Sequence, residues 1–393
     1  MLKITEVWTR GIEIPLKAPI KLSRGEIAFR KGFAVIVEGQ MDGVNKAGLG
    51  EVMPLPEFHV ENIAEAQTQT TNLITFWKTN GMPEVPLELG RLKGDLALTN
   101  WLNQHCPESG NGLCPSVRAG FEMALLHLIR RVSPQAKRPS QSTVSITRLV
   151  IRDEVAPTEM NSLAAKIKVG NADPLEDAKR ANDWASKMKG QPKAKLRFDA
   201  NRAWNVKQAA AFINGLEPHA LQITEYLEEP LQPSEDLLKR WEELAKTTDY
   251  KVKLAVDESL TEGIITTDHL EGSEAFIGAL ILKPTLQGLD KTIQLANWAA
   301  RKGHKAVLSS CFESGIALGH LAILASILAD PWEEVSHGLG TFTRLSEDVL
   351  QPPFSDLVSA KGSKGWQVST LSCKEALDSY ADALVADRER SRR

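Results

Sequence analysis

The chain has 393 residues, of which 42% are hydrophobic and 25% are charged, as in a globular protein that buries a large core. Its formal net charge of −3 leaves no basic excess to neutralise phosphates, which argues against a nucleic-acid partner. No apolar run reaches the roughly 20 residues that span a bilayer, so we expect no membrane partner. The four cysteines have no CxxC spacing, and reduced thiols in a cytoplasmic protein fit them better than disulfide bonds. A plastid stroma location applies instead if a cleaved transit peptide is missing from the chain.

The first 115 residues have the pattern of a small α+β unit. Residues 3–14 and 33–38 alternate between apolar and polar side chains as strands do. Residues 58–79 and 86–105 have helical patterns, with Pro83 and Pro86 between them. We therefore expect strands followed by helices in this part of the chain.

A polar segment, residues 17–31, separates the two predicted strands and carries the basic side chains Lys21, Arg24, Arg30 and Lys31 in addition to Lys17. It is predicted to be a loop. A solvated hairpin loop is one interpretation, and a mobile basic flap near an anionic ligand is the other. In the second interpretation Arg24 is a candidate substrate-binding residue.

The pattern changes after an amphipathic helix predicted over residues 116–130. Strand-like segments then recur, each followed by a helix-length stretch: 144–151, 165–169, 195–199, 221–227, 253–256, 279–282 and 305–309. Strands that alternate with helices predict a parallel sheet. Residues 331–393 break this rhythm and are expected to pack back on the N-terminal unit.

A charged residue lies at the end of five of these segments or directly beside it, in the order Lys168, Asp199, Glu228, Asp257 and Lys283. The residue numbers differ by 31, 29, 29 and 26, about one βα unit each time. Such spacing predicts a closed (β/α) barrel that displays one residue per strand at a common mouth. A doubly wound sheet is the alternative fold.

The three carboxylates of this series point to a metal site. Asp199, Glu228 and Asp257 would repel one another in a buried mouth unless a cation lay between them. Oxygen ligands suit Mg²⁺, and Mn²⁺ could replace it. No Cys or His joins the set, which argues against zinc. Taken singly, each acid could instead be an ion-paired group or a helix cap.

Three lysines near these strand ends are candidates for a role in proton transfer. Lys166 and Lys168 lie at i and i+2 of one strand and so point to the same face, while Lys283 follows a later strand. A buried lysine near another cation has a lowered pKa and can act as a general base, here for a proton α to a carboxylate. The alternative is an edge strand with two solvated lysines.

A KxK strand end followed by DANRAW, EEP, DES and KPT resembles the enolase superfamily, in its muconate-lactonising-enzyme-like subgroup. DANRAW and KPTLQG are most similar to the o-succinylbenzoate synthase family of the menaquinone and phylloquinone pathway, and residues 309–314, SSCFES, resemble its seventh-strand motif. The resemblance implies a modified TIM barrel with an N-terminal α+β capping domain. The implied division is 1–115 for the capping domain, 116–330 for the barrel, and 331–393 for the last barrel segment and the C-terminal return.

The resemblance also implies a role for each motif residue. Asp199, Glu228 and Asp257 would bind Mg²⁺, with Glu228 rather than Glu229 as the ligand. Lys168 would be the general base and then the acid, Lys166 would tune its pKa, and Lys283 would face the other side of the substrate. Four further residues are candidates for support or substrate contact: Arg197, Asn201, Ser309 and, behind the ligands, Glu258.

The implied activity is a dehydration that yields o-succinylbenzoate from a small-molecule substrate. An N-acylamino-acid racemase, which would use both lysines as acid and base, is the first alternative. A catalytically silent scaffold is the second, and the intact lysines and carboxylates argue against it. The pattern does not predict an oligomeric state.

Overall fold

The computed structural model describes residues 1–22, 25–107, 112–133, 143–150, 164–191, 193–328, 335–360 and 365–392. An antiparallel sheet of four strands, in the order β3-β2-β1-β4, opens the chain. Its strands are β1 (Leu2–Leu22), β2 (Gly25–Met41), β3 (Val44–Val52) and β4 (Glu84–Val85). Helices α1 (Ile63–Asn80), α2 (Ala97–Gln104) and α3 (Pro115–Val132) and a short 3₁₀ helix (Leu87–Arg91) complete this part.

The hairpin of β1 and β2 extends further than the sequence predicted. Residues 17–22 and 25–31 continue the two strands, with Ile20 paired to Ile27, so the predicted loop over 17–31 is wrong there. The ladder is irregular between Pro15 and Ile20 and then resumes. Apolar residues alternate with charged ones in this ribbon, and the many charged residues made the two-residue period of a strand difficult to recognise. Arg24 lies outside the described residues.

The helices of this unit begin where the sequence supplies caps. The Asn62 side chain accepts hydrogen bonds from Ala64 N and Glu65 N, and the Glu65 side chain accepts one from Asn62 N, which starts α1. The helix predicted over 86–105 is split, because Leu92 and Leu96 adopt left-handed backbone angles between the 3₁₀ helix and α2.

Helix α3 lies directly on the capping sheet. A Cβ atom at Gly48 or Gly50 would come within 1.9 Å of the carbonyl oxygens of Ala124 and Gly120, so only glycine permits this approach. The sequence assigned α3 to the barrel, but its buried face covers strands of the N-terminal unit. The boundary at 115 stays a prediction.

The second sheet has seven parallel strands in the sequential order β12-β11-β10-β9-β8-β7-β6. These are β6 (Arg148–Val150), β7 (Ala164–Lys168), β8 (Lys195–Asp199), β9 (Thr224–Glu228), β10 (Leu254–Val256), β11 (Ile277–Leu282) and β12 (Lys305–Leu308). Parallel bridges from His337 to Ile146 and from Gly338 to Ser309 join the two sides. The (β/α) barrel is therefore confirmed. The sequential strand order rules out the doubly wound alternative.

Helices follow most of the barrel strands. They are α4 (Pro174–Lys187), α5 (Val206–Asn214), α6 (Pro218–Ile223), α7 (Leu237–Thr247), α8 (Glu258–Thr261), α9 (Pro284–Gln287), α10 (Leu289–Lys302) and α11 (Gly315–Ile327). Residues 221–223, predicted to be strand, belong to α6. Among the described residues, no helix is both long enough and apolar enough to cross a bilayer.

The C-terminal segment contacts both parts of the chain. It contains α12 (Phe354–Leu357), β13 (Val358–Ala360), β14 (Trp366–Ser369) and α13 (Thr370–Arg392). Strands β13 and β14 form a small sheet with β5 (Thr143–Ser145), so the predicted strand 144–151 is divided between two sheets, and Ile151 lies outside the described residues. Helix α13 packs on α11 and β3, and Arg388 forms ion pairs with Glu6 and Glu38.

Candidate active site

A cavity of about 440 Å³ lies at the carboxyl end of the barrel strands, under the capping unit. Its lining combines charged residues from strand ends with apolar residues from the capping unit and the loops: Ile20, Leu55, Glu57, Phe58, Thr147, Leu149, Lys166, Lys168, Asp199, Asn201, Asp257, Glu258, Lys283, Ser309, Ser310, Cys311, Phe312, Gly338, Gly340 and Thr341. The carboxyl end of the strands is where barrel enzymes carry out their chemistry.

Strand register accounts for the charged cluster. Lys168 pairs with Asp199, and Asp199 pairs with Glu228, so three successive strands end side by side. Asp257 directly follows β10 and Lys283 directly follows β11. The five residues that the sequence selected by spacing therefore meet at one edge of the sheet.

Ammonium groups lie between the carboxylates. Lys166 Nζ is 2.6 Å from Glu228 Oε1 and 2.9 Å from Asp199 Oδ2, and Lys168 Nζ is 2.6 Å from the same Asp199 oxygen. Lys283 Nζ pairs with the Asp257 carboxylate. The Lys168 side chain keeps 36% of its surface exposed, against 14% for Lys166, so Lys168 is the more exposed of the two lysines of this strand that line the cavity.

These pairings determine the direction of the pKa shifts. Burial acts to lower the pKa of Lys166, but the charges of Asp199 and Glu228 outweigh it and raise that pKa well above its usual range. The pKa of Lys283 shifts in the same direction, because the charge of Asp257 outweighs the effect of burial and raises it. In the chain without a metal, carboxylates rather than cations are therefore the nearest charges to these two lysines. The lowered pKa expected of the general base stays a prediction.

The carboxylates themselves shift in opposite directions. Burial favours the protonated form of Asp199, but Lys166 and Lys168 prevail and lower its pKa. Burial and the neighbouring Asp199 charge raise the pKa of Glu228 well above its usual range. Glu228 shares its one counter-charge, Lys166, with Asp199.

The donor set fits a hard divalent cation in its chemistry. Asp199, Glu228 and Asp257 are all buried, and Glu228 Oε2 is a buried oxygen with no hydrogen-bond partner. Within the described residues, no three acidic, His or Cys side chains converge closely enough to form a metal site, because the lysine ammonium groups lie among the acids. Three carboxylates with one unpartnered oxygen are the ligand type that Mg²⁺ prefers.

The two glutamates of the EEP motif face different partners. Glu228 faces Lys166 at the barrel mouth, while Glu229 Oε1 accepts hydrogen bonds from the backbone N–H groups of Asp257 and Ser259, both at 2.9 Å. Glu229 is outside the cavity lining. This arrangement favours Glu228 as the ligand.

Three of the four supporting candidates lie at the cavity. Asn201 Oδ1 accepts a hydrogen bond from Lys168 Nζ at 2.7 Å, and Ser309 is part of the lining. Glu258 lies 3.8 Å from Lys283 Nζ, and burial together with the Asp257 charge raises the pKa of Glu258 to about 7.

Arg197 lies elsewhere, inside the barrel and away from the cavity lining. Its guanidinium is 2.5 Å from Glu225 Oε2 and donates to Thr147 Oγ1 and to the Ser336 carbonyl oxygen. The expectation of a substrate contact is therefore not supported by its position. These contacts link β8 to the segment that closes the barrel.

The part of the site that the capping unit supplies has no marker in the sequence. Phe58 places its ring 5.6 Å from Lys283 Nζ, and Leu55 and Ile20 also line the cavity. Nothing in the local pattern around residue 55 marks these side chains, because their role depends on contact with strands more than 200 positions away in the sequence.

Several residues around the cavity hold left-handed backbone angles although they are not glycine. They are Glu57, Asn201, Arg202, Glu229 and Phe312. Each such residue costs of order 1–3 kcal/mol, and such residues concentrate at functional sites, where the surrounding contacts enforce them. DANRAW contains two of them, side by side, after Asp199.

The fold and the site together define an enzyme of the enolase superfamily. Residues 154–357 match the family described as Enolase C-terminal domain-like, and residues 6–89 match the MenC, N-terminal domain. A curated o-succinylbenzoate synthase of Aliivibrio fischeri is 30% identical over 320 residues, which cover 80% of this chain and 84% of the relative. The chain therefore belongs to the o-succinylbenzoate synthase family and is an enzyme of that kind.

Solved structures share the fold. The o-succinylbenzoate synthase of Thermosynechococcus elongatus, complexed with Mg in its active site, has a TM-score of 0.56 and 20% identity, with 90% of this chain and 98% of that chain covered. A dipeptide epimerase of Methylococcus capsulatus, complexed with Mg and a dipeptide, has a TM-score of 0.68 and 20% identity, with 88% and 93% covered. At such identity the likeness concerns architecture alone.

Proposed function

We propose that this enzyme dehydrates 2-succinyl-6-hydroxy-2,4-cyclohexadiene-1-carboxylate to o-succinylbenzoate, in a Mg²⁺-dependent reaction. The observation that carries the proposal is the pair Lys168 and Lys283. Their amines come from different strands and line one cavity, each against a different carboxylate. The family membership supports the same reaction.

Lys168 is the proposed general base and acid. It removes the proton from the ring carbon that bears the substrate carboxylate, and the resulting ammonium then protonates the hydroxyl group on the adjacent carbon. The C–H and C–O bonds break, a ring double bond forms, and water leaves. The ring becomes aromatic, so the elimination is strongly downhill once the proton has been removed.

Lys166 and Lys283 supply positive charge on two sides of the reacting centre. Lys166 lies beside Lys168 on β7 and competes with it for Asp199. Lys283 remains an ammonium because Asp257 pairs with it, and in this form it stabilises the negative charge that develops on the substrate.

Asp199, Glu228 and Asp257 are the proposed ligands of Mg²⁺, which Mn²⁺ could replace. When bound, the cation would stabilise the charge that develops on the substrate carboxylate and would offset part of the negative charge of its three ligands. Asn201, Ser309 and Arg24 are proposed substrate contacts, with Glu258 as support for the ligands.

The second candidate function is N-acylamino-acid racemisation. It is favoured by the same lysine pair, since a racemase needs one acid–base group on each face of the substrate and both amines reach the cavity. The dipeptide epimerase of similar fold carries out a related isomerisation, judged by its name. The dehydration needs only Lys168 to move protons.

Two parallel assays separate the candidates. Purified protein with Mg²⁺ and the cyclohexadiene substrate is followed by loss of the diene absorbance, and N-succinylamino acids are incubated in D₂O and examined for α-deuterium. Fast dehydration with slow exchange supports the synthase. Fast exchange without dehydration would assign the racemase.

The reaction would serve menaquinone or phylloquinone biosynthesis, and we propose a cytoplasmic location. The curated relative from Aliivibrio fischeri is bacterial, which gives no support to a plastid location. The proposed partner is a small-molecule substrate, with no nucleic acid or membrane involved.

A further inference from the structure

Glu229 follows the proposed ligand Glu228 in the chain, but its side chain contacts the residues at the end of the next strand, β10. The carboxylate is fully buried, and its Oε1 atom accepts hydrogen bonds from the backbone N–H groups of Asp257 and Ser259, both at 2.9 Å. Oε2 accepts a third, from the Ser259 hydroxyl, at 2.8 Å. One carboxylate thus holds both ends of the turn that begins at Asp257.

Arg202 joins the same group from a third strand end. Its Nε donates to Glu229 Oε2 at 3.2 Å, a second nitrogen donates to the Ser259 hydroxyl at 3.2 Å, and a third pairs with Glu262 at 2.8 Å. The backbone N–H of Arg202 also donates to the Glu229 carbonyl oxygen at 2.7 Å. Arg202 belongs to the loop that follows Asp199, so the loops after all three acidic strand ends meet here.

We propose that Glu229, with Arg202 as its counter-charge, is a positioning residue that fixes the backbones of Asp257 and Glu228 for Mg²⁺ binding. The inference rests on the proposed function, in which these acids are the metal ligands. Glu229 follows Glu228 directly in the chain, and its carboxylate accepts a hydrogen bond from the backbone N–H of Asp257. Glu229 therefore restrains the backbones of both proposed ligands.

The hydrogen bonds from the Asp257 turn to Glu229 should affect Mg²⁺ affinity as well as packing. Mg²⁺ demands near-ideal octahedral geometry, so small displacements of a ligand weaken its binding strongly. Ligands held by hydrogen bonds from behind keep their orientation, and the loss of such a partner typically weakens metal binding 10- to 100-fold. A contact that served stability alone would have no effect on metal affinity.

The test compares Glu229→Ala and Glu229→Gln. Alanine removes every acceptor, and we expect the Mg²⁺ dissociation constant to rise about tenfold or more. Glutamine keeps one oxygen that can accept from both N–H groups but loses the charge that faces Arg202, so a rise of roughly threefold is expected. Calorimetric titration of metal-free protein with MgCl₂ measures the constants, and thermal unfolding without metal measures stability.

Glu122 offers the matched control. It too is a fully buried glutamate that accepts from a backbone N–H, that of Leu289, and from a hydroxyl, that of Thr99, but it lies outside the cavity lining. Glu122→Ala should lower the unfolding temperature, as Glu229→Ala should, and leave the Mg²⁺ dissociation constant at the wild-type value.

Mg²⁺ binding weakened by Glu229→Ala and unchanged by Glu122→Ala supports the proposal. Equal affinity in Glu229→Ala and wild type, or equal weakening by both alanine variants, overturns it. If Glu229→Ala does not fold, Glu229→Gln is compared with Glu122→Gln, and equal affinities overturn it. A wild-type protein that gives no Mg²⁺ binding would instead refute the metal site of the proposed function, so the two failures are distinguishable.

Discussion

The buried guanidinium of Arg30 donates a hydrogen bond to the carbonyl oxygen of Phe312, at 3.0 Å, and so joins the capping hairpin to the barrel. The same group donates to the carbonyl oxygens of Pro54 and Met53 at 3.1 and 2.7 Å. One arginine thereby holds the loop that leads to Phe58 and the loop that follows β12. The lid of the cavity therefore depends on a residue that does not line it.

Arg30→Met should lower the free energy of unfolding by roughly 3 kcal/mol, because three carbonyl oxygens lose their donor and the buried acids Glu313 and Glu51 lose a neighbouring positive charge. We expect KM to rise more than kcat falls, since Leu55, Glu57 and Phe58 line the proposed substrate cavity and are not among the proposed proton-transfer groups. Denaturant unfolding and steady-state kinetics measure both effects.

Lys31→Met is the control for Arg30. Lys31 is the next residue on the same strand, is exposed, and pairs with Glu13 at 3.2 Å on the surface. Its replacement should change stability by less than about 0.5 kcal/mol and leave KM unchanged. Wild-type stability and KM in Arg30→Met would contradict the structural role given to Arg30.

Asp199→Asn tests the metal site. A neutral amide loses the charge attraction, so the Mg²⁺ dissociation constant should rise roughly tenfold or more. A chelator should abolish turnover of the wild-type enzyme, and added Mg²⁺ should restore it. Asp290→Asn is the control, because Asp290 is also a buried carboxylate that accepts from a backbone N–H, that of Leu98 at 2.9 Å, away from the cavity. Full activity in the presence of chelator would refute the assignment.

The central charged cluster was predictable because its signals are local. Strand alternation and the spacing between Lys168, Asp199, Glu228, Asp257 and Lys283 each depend on a few neighbouring residues or on one βα unit. Parallel pairing of the strands in register then brings these strand ends together, so no long-range sequence signal is needed to predict the cluster. The barrel and its mouth followed from these patterns.

Other features of the site depend on how deep a residue lies in the barrel and on contacts between residues far apart in the sequence. Arg197 shares a face with Asp199, but two residues along a strand correspond to roughly 7 Å, so Arg197 lies beneath the mouth and not at it. Arg30 and Phe312 are 282 positions apart, and the bond is accepted by a backbone oxygen that any residue would supply. No sequence pattern marks such a pair. The direction of the lysine pKa shifts likewise required the positions of the carboxylates.

Glu51 should make stability depend on pH. Burial raises its pKa from 4.5 to about 7, although the Ser314 N–H and hydroxyl donate to it. Because the folded pKa exceeds the unfolded one, the stability contributed by this group is fully present below pH 4.5 and is lost as the pH rises through 7.

Glutamine does not ionise, so the Glu51→Gln variant should not lose this stability as the pH rises. The free energy of unfolding of Glu51→Gln minus that of wild type should therefore increase by on the order of 3 kcal/mol between pH 4.5 and pH 8. Urea unfolding at several pH values measures the difference. The exposed Glu88, replaced by Gln in the same way, should show no comparable trend. A difference that stays constant with pH would mean that Glu51 is ionised throughout.

Lys168 and Lys283 should differ in the kind of contribution that they make. Lys168→Ala removes the proposed base and should lower kcat about 10³-fold or more, because no other group on that face takes the proton. Lys283→Ala should lower kcat roughly 10²-fold through lost charge stabilisation.

Arginine separates the two roles, because it keeps the positive charge but does not give up its proton near neutral pH. Lys168→Arg should therefore be as inactive as Lys168→Ala. Lys283→Arg should recover about tenfold over Lys283→Ala, since positive charge is the proposed contribution of Lys283. Single-turnover measurements at saturating Mg²⁺ isolate the chemical step from product release. Equal rates in Lys168→Arg and Lys283→Arg would assign proton removal to a group other than Lys168, and an inactive Lys283→Arg beside an active Lys168→Arg would assign it to Lys283.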